Sequence, residues 1–584
     1  MSDRSEKISR RQLLKGAAGT GLVLLLPVLP SEAEGPLENL AGESENVRRA
    51  HASLGALIEK GAESEPWSFG IMSDTQWAPS TGRVDKGVPT EIIDDVNKQF
   101  IKAGVKFVIQ VGDITQNAGD GELDELDIRA RHTKALTDAG IRYFPLRGNH
   151  EGSVEAARHF GEVFPNLPGR PGFQATEGYG AASSPKLRGL EGRTYSFTFG
   201  NAAFILLDQF WVDDGTEDGK AYPTADQLDW IKDQLSRAHE AGKHAFFFAH
   251  KNILGQQHKD NLFGNPVDHD DPGDGDLAKQ RVATAFISAL ENNGVRYYFS
   301  GHDHMYHRAV VQSPDRGHNH NIEQIITGSC SYKFYEPHPP YSTNEQPLVQ
   351  ERNTIGYLIA TVDGPRVTVR YYSAPVEVTA GKHRGEIHEW KTPSEWRQQD
   401  TFGYSLNGKT FLVKKGESLR VVQHSIAKNG AFVGTSMALL NGTNSLVGTT
   451  HDDTPETRRD CADLVTTVWA PRPNARFHSD VLSLYGLDVE LGSTRTNPFV
   501  LSLSYDPTGV DRKQIESGQL TISAHDPARV WVKAVELNSI GTPQFIKGPY
   551  KEGAAPGSYG IDTAKHIVWA VLDHASDFAV TAAA

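Results

Sequence analysis

The stretch Tyr297-Tyr298-Phe299-Ser300-Gly301-His302-Asp303-His304 decides the reading of this chain. A short apolar run stops at a glycine, and two histidines follow at i and i+2. An extended strand end points alternate side chains to one side, so both imidazoles can face one spot. The same pattern recurs upstream. Phe69-Gly70-Ile71-Met72-Ser73 runs into Asp74-Thr75-Gln76, and Phe107-Val108-Ile109-Gln110-Val111 into Gly112-Asp113. Tyr143-Phe144-Pro145-Leu146-Arg147 leads to Gly148-Asn149-His150-Glu151, and Ala245-Phe246-Phe247-Phe248-Ala249 to His250. Helical stretches lie between these runs (Glu91–Ala103, Asp124–Ala139, Ala225–Ala241, Ala278–Asn292), which indicates an α/β domain. In open α/β sheets ligands bind beyond the carboxyl ends of the strands. The five ends therefore converge on one place.

The donors brought there are carboxylate, amide and imidazole, without thiolate. That set suits Mn, Fe or Zn. Two cations about 3.5–4 Å apart repel, and an anionic carboxylate between them relieves this. Asp113 is the natural bridge. Gly112, Gly148 and Gly301 stand where the backbone must turn sharply or allow close approach.

The rest of the chain bounds the problem. Its 584 residues exceed one ordinary domain, and 9 Trp, 18 Tyr and 25 Phe supply material for buried cores. A net charge of −14 argues against nucleic acid as a partner. Two cysteines, Cys330 and Cys461, exclude a disulfide scaffold and a cysteine zinc site. Near the start, Ser9-Arg10-Arg11-Gln12-Leu13-Leu14-Lys15 precedes an apolar run from Gly16 to Leu29, too short to span a membrane. With the small residues up to Ala33, this resembles a twin-arginine signal peptide over residues 1–33. It implies passage through the Tat machinery, a periplasmic or secreted protein, and no integral membrane segment in the mature chain.

Residues 34–65 read as a linker, 66–375 as the α/β domain and 376–400 as a polar connector. From 401 to 584 short apolar runs separated by Gly, Asn, Asp and Pro predict an all-β, sandwich-like domain. The run Asp268-His269-Asp270-Asp271-Pro272-Gly273-Asp274-Gly275-Asp276 lacks the spacing of a calcium loop and reads as a solvated acidic insertion.

Taken in order, the five strand ends resemble the calcineurin-like metallophosphoesterase superfamily, with its series Asp-x-His, Gly-Asp, Gly-Asn-His-Asp/Glu, His and Gly-His-x-His. Gly301-His302-Asp303-His304-Met305-Tyr306-His307-Arg308 adds a purple-acid-phosphatase flavour. The resemblance implies a four-layer α/β/β/α sandwich and hydrolysis of a small phosphate ester. It implies two divalent or trivalent metal ions, one held by Asp74, Gln76, Asp113 and His304, the other by Asp113, Asn149, His250 and His302. His150 would act on the phosphate as a catalytic residue, with Glu151 as its partner. Asn149, His150 and Arg308 would bind substrate. Two departures stand out. The family's first histidine is Gln76 here, and the position three after Asp113 is Gln116 rather than the tyrosinate ligand of the purple enzymes, so no Fe(III)–tyrosinate chromophore is expected. A phosphodiesterase for cyclic nucleotides or phospholipid headgroups, and a non-catalytic metal-dependent binding protein, are the rival readings. Trp77, Trp211 and Lys251 read as packing or solvated residues.

Overall fold

Strands buried on both faces appear in sequence as near-continuous apolar runs, and each residue's parity then chooses its layer. A computed structural model describes residues 65–79, 86–258, 260–264, 274–312, 319–336, 344–380, 385–393, 395–415, 420–424, 433–439, 458–467, 476–489, 493–507, 509–525 and 530–582. The expected signal peptide, the linker up to residue 64 and the acidic run 268–273 lie outside the described residues. All described residues belong to one compact unit. Among them no helix is long and apolar enough to cross a membrane.

Two mixed sheets pack face to face. The six-stranded sheet runs, edge to edge, Arg397–Ser405, Arg366–Pro375, Thr354–Asp363, Trp67–Met72, Phe107–Gln110 and Arg142–Pro145. Its last three strands are parallel, in the register Ile71↔Ile109 and Ile109↔Phe144. The nine-stranded sheet contains Tyr306–Gln312, Asn319–Thr327, Tyr297–Ser300, His244–Ala249 and Ala202–Leu207 as consecutive neighbours. Tyr297–Ser300 is parallel to both of its neighbours.

Phenylalanines join the sheets. Phe69 stacks on Phe107 at 5.3 Å between ring centres, and Phe107 meets Phe204 edge-on at 5.0 Å. Phe144 stacks on Phe197 at 4.2 Å. Alternate residues of the same strands face outward. Ala203, Ile205, Ala245 and Phe247 pack under Ile231, Leu235, Phe286 and Leu290 of the helices Thr224–Glu240 and Asp274–Asn292. On the other side the helix Thr90–Ala103 buries Ile92, Val96 and Phe100 against the six-stranded sheet. Gly70 admits Phe100, whose ring a side chain there would strike. The layers are therefore α/β/β/α, as expected.

The helix expected over Asp124–Ala139 is broken into Asp124–Arg131 and Lys134–Asp138. At the break Thr133 Oγ1 donates to Ala130 O at 2.6 Å, and His132 O accepts from Asn97 Nδ2 at 2.7 Å. Side chains thus take over backbone partners that a continuous helix would use.

The C-terminal region is strand-rich, as the texture of the sequence predicts. One sheet includes Cys461–Thr467, Val481–Tyr485, Asp577–Ala582 and Leu520–His525; another includes Val433–Leu439, Arg495–Ser504, Ile567–His574 and Ser558–Asp562. Leu464, Leu482, Ile522 and Phe578 of the first share a core with Leu501, Leu503, Ala570 and Leu572 of the second.

Candidate metal centre

The carboxyl ends of the parallel strands meet, and the turns that leave them are bonded to one another. Thr75 N donates to Asp113 O at 2.8 Å, and His302 N donates to Asp74 Oδ1 at 2.9 Å. His150 N donates to Asp113 Oδ1 at 3.1 Å. Eight non-glycine residues among those described have positive φ. Five of them, Asp74, Trp77, Asp113, His302 and His304, lie in or beside this cluster. Such conformations cost about 1 kcal/mol or more each and persist where surrounding structure imposes them, which is characteristic of functional sites.

Two donor groups result, each with its atoms within 4.8 Å of one another: Asp113 with His250 and His302, and Asp113 with Asp74 and His304. Asp113 belongs to both. All five residues are buried. His250 Nε2 lies 3.2 Å from Asp113 Oδ2 and 3.2 Å from Asn149 Oδ1. His304 Nε2 is 3.6 Å from Asp74 Oδ1 and 2.7 Å from Gln76 Nε2.

Gln76 tests whether these residues suit cations. Its Nε2 donates to Asp113 Oδ2 at 2.9 Å, while its Oε1 is buried without a hydrogen-bond partner. The two ends of an amide are nearly the same shape. Rotated, the group turns its oxygen toward Asp113 and His304 and completes an O/N donor set there. The donors thus fit metal ions of the Mn, Fe or Zn kind.

Burial and crowding shift these groups in both directions, toward the ligating form at Asp113, His302 and His304 and toward the protonated form at Asp74 and His250. Burial pushes the Asp74 carboxyl up to about 7; His250 opposes this and Asp113 adds to it. Burial also raises Asp113, but the neighbouring imidazoles of His250 and His150 outweigh it and hold the group well below the usual carboxylate range. His250 is pushed down by burial yet carried up to about 9, chiefly by Asp113. Burial lowers His302 and His304, leaving them neutral imidazoles, the form that binds metals.

Of the residues expected at the site, Asp74, Gln76, Asp113, Asn149, His150, His250, His302 and His304 come together. Asn149 is exposed and His150 half-buried, so these two form the solvent side. His150 Nε2 stands 3.8 Å from Asp113 Oδ2, and its Nδ1 lies 2.6 Å from Gln116 O.

Glu151 is not the partner of His150. Its carboxylate accepts from Gly148 N at 2.8 Å, Thr115 N at 2.8 Å and Thr115 Oγ1 at 2.7 Å, because the loop's buried donors compete for it. Arg308 is not brought to the cluster either. Its buried guanidinium lies among Asp400 (2.9 Å), Glu323 (2.9 Å) and Asp463 (3.0 Å), since the strand Tyr306–Gln312 carries it away from the turn.

Sequence reasoning missed the segment after His250. Lys251 Nζ lies 2.6 Å from Asp260 Oδ2, and Asp260 Oδ1 lies 3.1 Å from His302 Nε2. His258 Nδ1 lies 2.6 Å from Asp303 Oδ1. His258 and Asp260 belong to no motif. Asp303 was in plain view, between the two histidines.

Residues 68–306 match the model of the calcineurin-like phosphoesterase family. No curated protein matches the chain at a significant level. Among solved structures, a purple acid phosphatase from yellow lupin (Lupinus luteus) seeds is similar at 17% identity and a TM-score of 0.38, over 59% of this chain and 54% of that one. A dimetal phosphatase from Danio rerio is 15% identical with a TM-score of 0.33, over 54% of this chain and 98% of that one. GAP50, described as the anchor in the inner membrane complex of Plasmodium, is 16% identical with a TM-score of 0.32, over 56% of this chain and 91% of that one. The match thus spans about half the length of the lupin enzyme. From Ser68 to Tyr306, the stretch that carries all five strand ends, the chain is similar to the calcineurin-like phosphoesterase family.

Proposed function

We propose that this protein is an exported, metal-dependent phosphoester hydrolase that uses two metal ions to cleave small phosphate esters. The observation that carries the reading is Asp113, a buried carboxylate common to two compact donor groups. One group, Asp74, Gln76, Asp113 and His304, would hold the first ion; the other, Asp113, Asn149, His250 and His302, the second. When bound, such ions lower the pKa of water toward neutrality and offset charge on phosphate oxygens.

The chain's own residues supply the rest. Asp113 keeps its negative charge through its imidazole neighbours and so can serve two cations at once. His150 is tethered at Nδ1 by Gln116 O, which fixes its ring and leaves Nε2 for substrate. From there it can donate a hydrogen bond to a phosphate oxygen or a proton to the leaving oxygen. Asn149, exposed beside it, offers an amide to the same phosphate. Buried among carboxylates, Arg308 has no part in substrate binding in this reading.

Gln116, where the purple enzymes carry tyrosine, leaves no phenolate for a charge-transfer colour, and the metal-loaded protein should be colourless or pale. Export rests on Ser9-Arg10-Arg11 and the apolar run behind it. Lysines at Arg10 and Arg11 should block it, as read by fractionation. The division into a catalytic domain (66–375), connector (376–400) and C-terminal β-domain (401–584) is part of the proposal. The β-domain is assigned no chemistry.

The test is turnover of p-nitrophenyl phosphate and its bis-ester with Mn²⁺ or Zn²⁺, alongside metal analysis. Faster turnover of the bis-ester would make the enzyme a diesterase. No turnover on a broad ester panel by protein holding two ions would favour a binding protein instead. Asp113→Asn should abolish binuclear occupancy. His150→Ala should keep both ions and lose most turnover.

A further inference from the structure

We propose that Asp260 is a positioning residue for the metal ligand His302, and that Asp303 anchors the segment which delivers it. The inference rests on the two-metal reading above and adds what sets the second ion's affinity.

Asp303 sits between the two histidines of His302-Asp303-His304 and is fully buried. A buried carboxylate needs donors. Asp303 finds three, all on the segment that follows His250: Asn252 Nδ2 at 2.6 Å, His258 N at 2.9 Å and His258 Nδ1 at 2.6 Å. The middle residue is therefore no spacer. It folds that segment down onto the turn that carries His302 and His304.

Two consequences follow for His302. The His258 ring lies against its face, with ring centres 4.2 Å apart. Asp260 reaches its edge, with Oδ1 3.1 Å from Nε2, and is itself held by Lys251 Nζ at 2.6 Å. A carboxylate at Nε2 selects the tautomer with the proton on Nε2, which leaves the Nδ1 lone pair for a metal. His250 and His304 are held in the opposite sense. Their Nδ1 atoms face main-chain oxygens, Val111 O at 3.0 Å and Lys333 O at 3.1 Å, and leave Nε2 toward the cluster. His250 is thus oriented by backbone, which substitution leaves in place, and His304 by backbone together with Ser329 Oγ at 3.3 Å. His302 is oriented by a side chain, which substitution removes.

Partners of this kind are worth roughly 10–100-fold in metal affinity. The experiment titrates Zn²⁺ or Mn²⁺ into the metal-free full chain by calorimetry, with bound metal counted by mass spectrometry. Asp260→Ala should weaken the second ion by that factor and leave the first unchanged. Asp260→Asn keeps an acceptor oxygen and should fall between. In ¹⁵N-histidine spectra of the Zn²⁺-loaded protein, His302 should carry its proton on Nε2, and lose that preference in Asp260→Ala. Asp260 is partly exposed, so the fold should survive its truncation. Two ions held by Asp260→Ala as tightly as by the unaltered protein would overturn the inference alone. So would a proton on His302 Nδ1 in the unaltered protein, which would make Asp260 a ligand. An unaltered protein that takes up fewer than two ions would instead sink the two-metal reading, and this inference with it.

Discussion

Gly148→Ala separates two reasons a glycine can be required. Gly148 has φ −111° and ψ −165°, extended backbone open to any residue. What it lacks is room. A methyl there would stand 2.7 Å from Asp113 Cγ, and closer still to Asp113 Oδ1 and N, whereas real Cβ contacts essentially never fall below 3.0 Å. The turn carrying Asn149 and His150 must move away from Asp113 by something on the order of 1 Å, and misplacement of that size can cost about 10²-fold in rate. That equals about 2.7 kcal/mol on the barrier. Gly104 is the contrast. It ends the helix Thr90–Ala103 at φ 64°, and a methyl there would have nothing within 4 Å. Gly104→Ala should cost about 1 kcal/mol of folding stability and leave turnover alone. The assays are kcat on an aryl phosphate, bound metal, and thermal melts of both variants. Gly148→Ala with full metal content and unchanged kcat would refute the close approach of the two turns. Equal kcat losses in both variants would do so as well.

Three other outcomes are expected. Asp208→Asn leaves Arg147 buried without its charge partner, now at 2.7 and 3.1 Å, and should destabilise the fold by about 3–5 kcal/mol in denaturant titrations. Because Arg147 immediately precedes Gly148-Asn149-His150, second-site metal should fall with it. Asp463 should make stability pH-dependent. Burial, opposed by Arg308 and reinforced by Glu323 and Asp400, pushes its carboxyl from 3.8 up to about 7. A raised carboxyl favours the folded state in its protonated form, so its contribution is full below about pH 4 and is lost as pH rises through 7. Asp463→Asn should flatten the melting temperature across that window, and an unchanged profile would exclude this origin. Chelation should lower the melting temperature, and returning Mn²⁺ or Zn²⁺ should restore it in proportion to the logarithm of free metal.

The sequence legibly carried the strand-end pattern, because its cause is local. A strand buried on both faces must be apolar, and a side chain that binds at its end must follow the run at once. Asp74, Asp113, Asn149, His250, His302 and His304 could be named on that ground, and the β texture after residue 400 was equally plain. Tertiary structure alone decided which atoms meet. Asp74 receives the backbone N–H of a residue 228 positions away, and Asp113 enters both donor groups because strand ends of the six-stranded sheet face strand ends of the nine-stranded one. Arg308, two residues into the strand that follows His304, was claimed by carboxylates from Asp400 and Asp463, which no local pattern places beside it. Asp260 and His258 reached the site because buried Asp303 required donors, and only packing shows which ones it found. Burial and strand periodicity are written along the chain, whereas the partner of a buried charge is selected across it, by whichever elements the fold presses together.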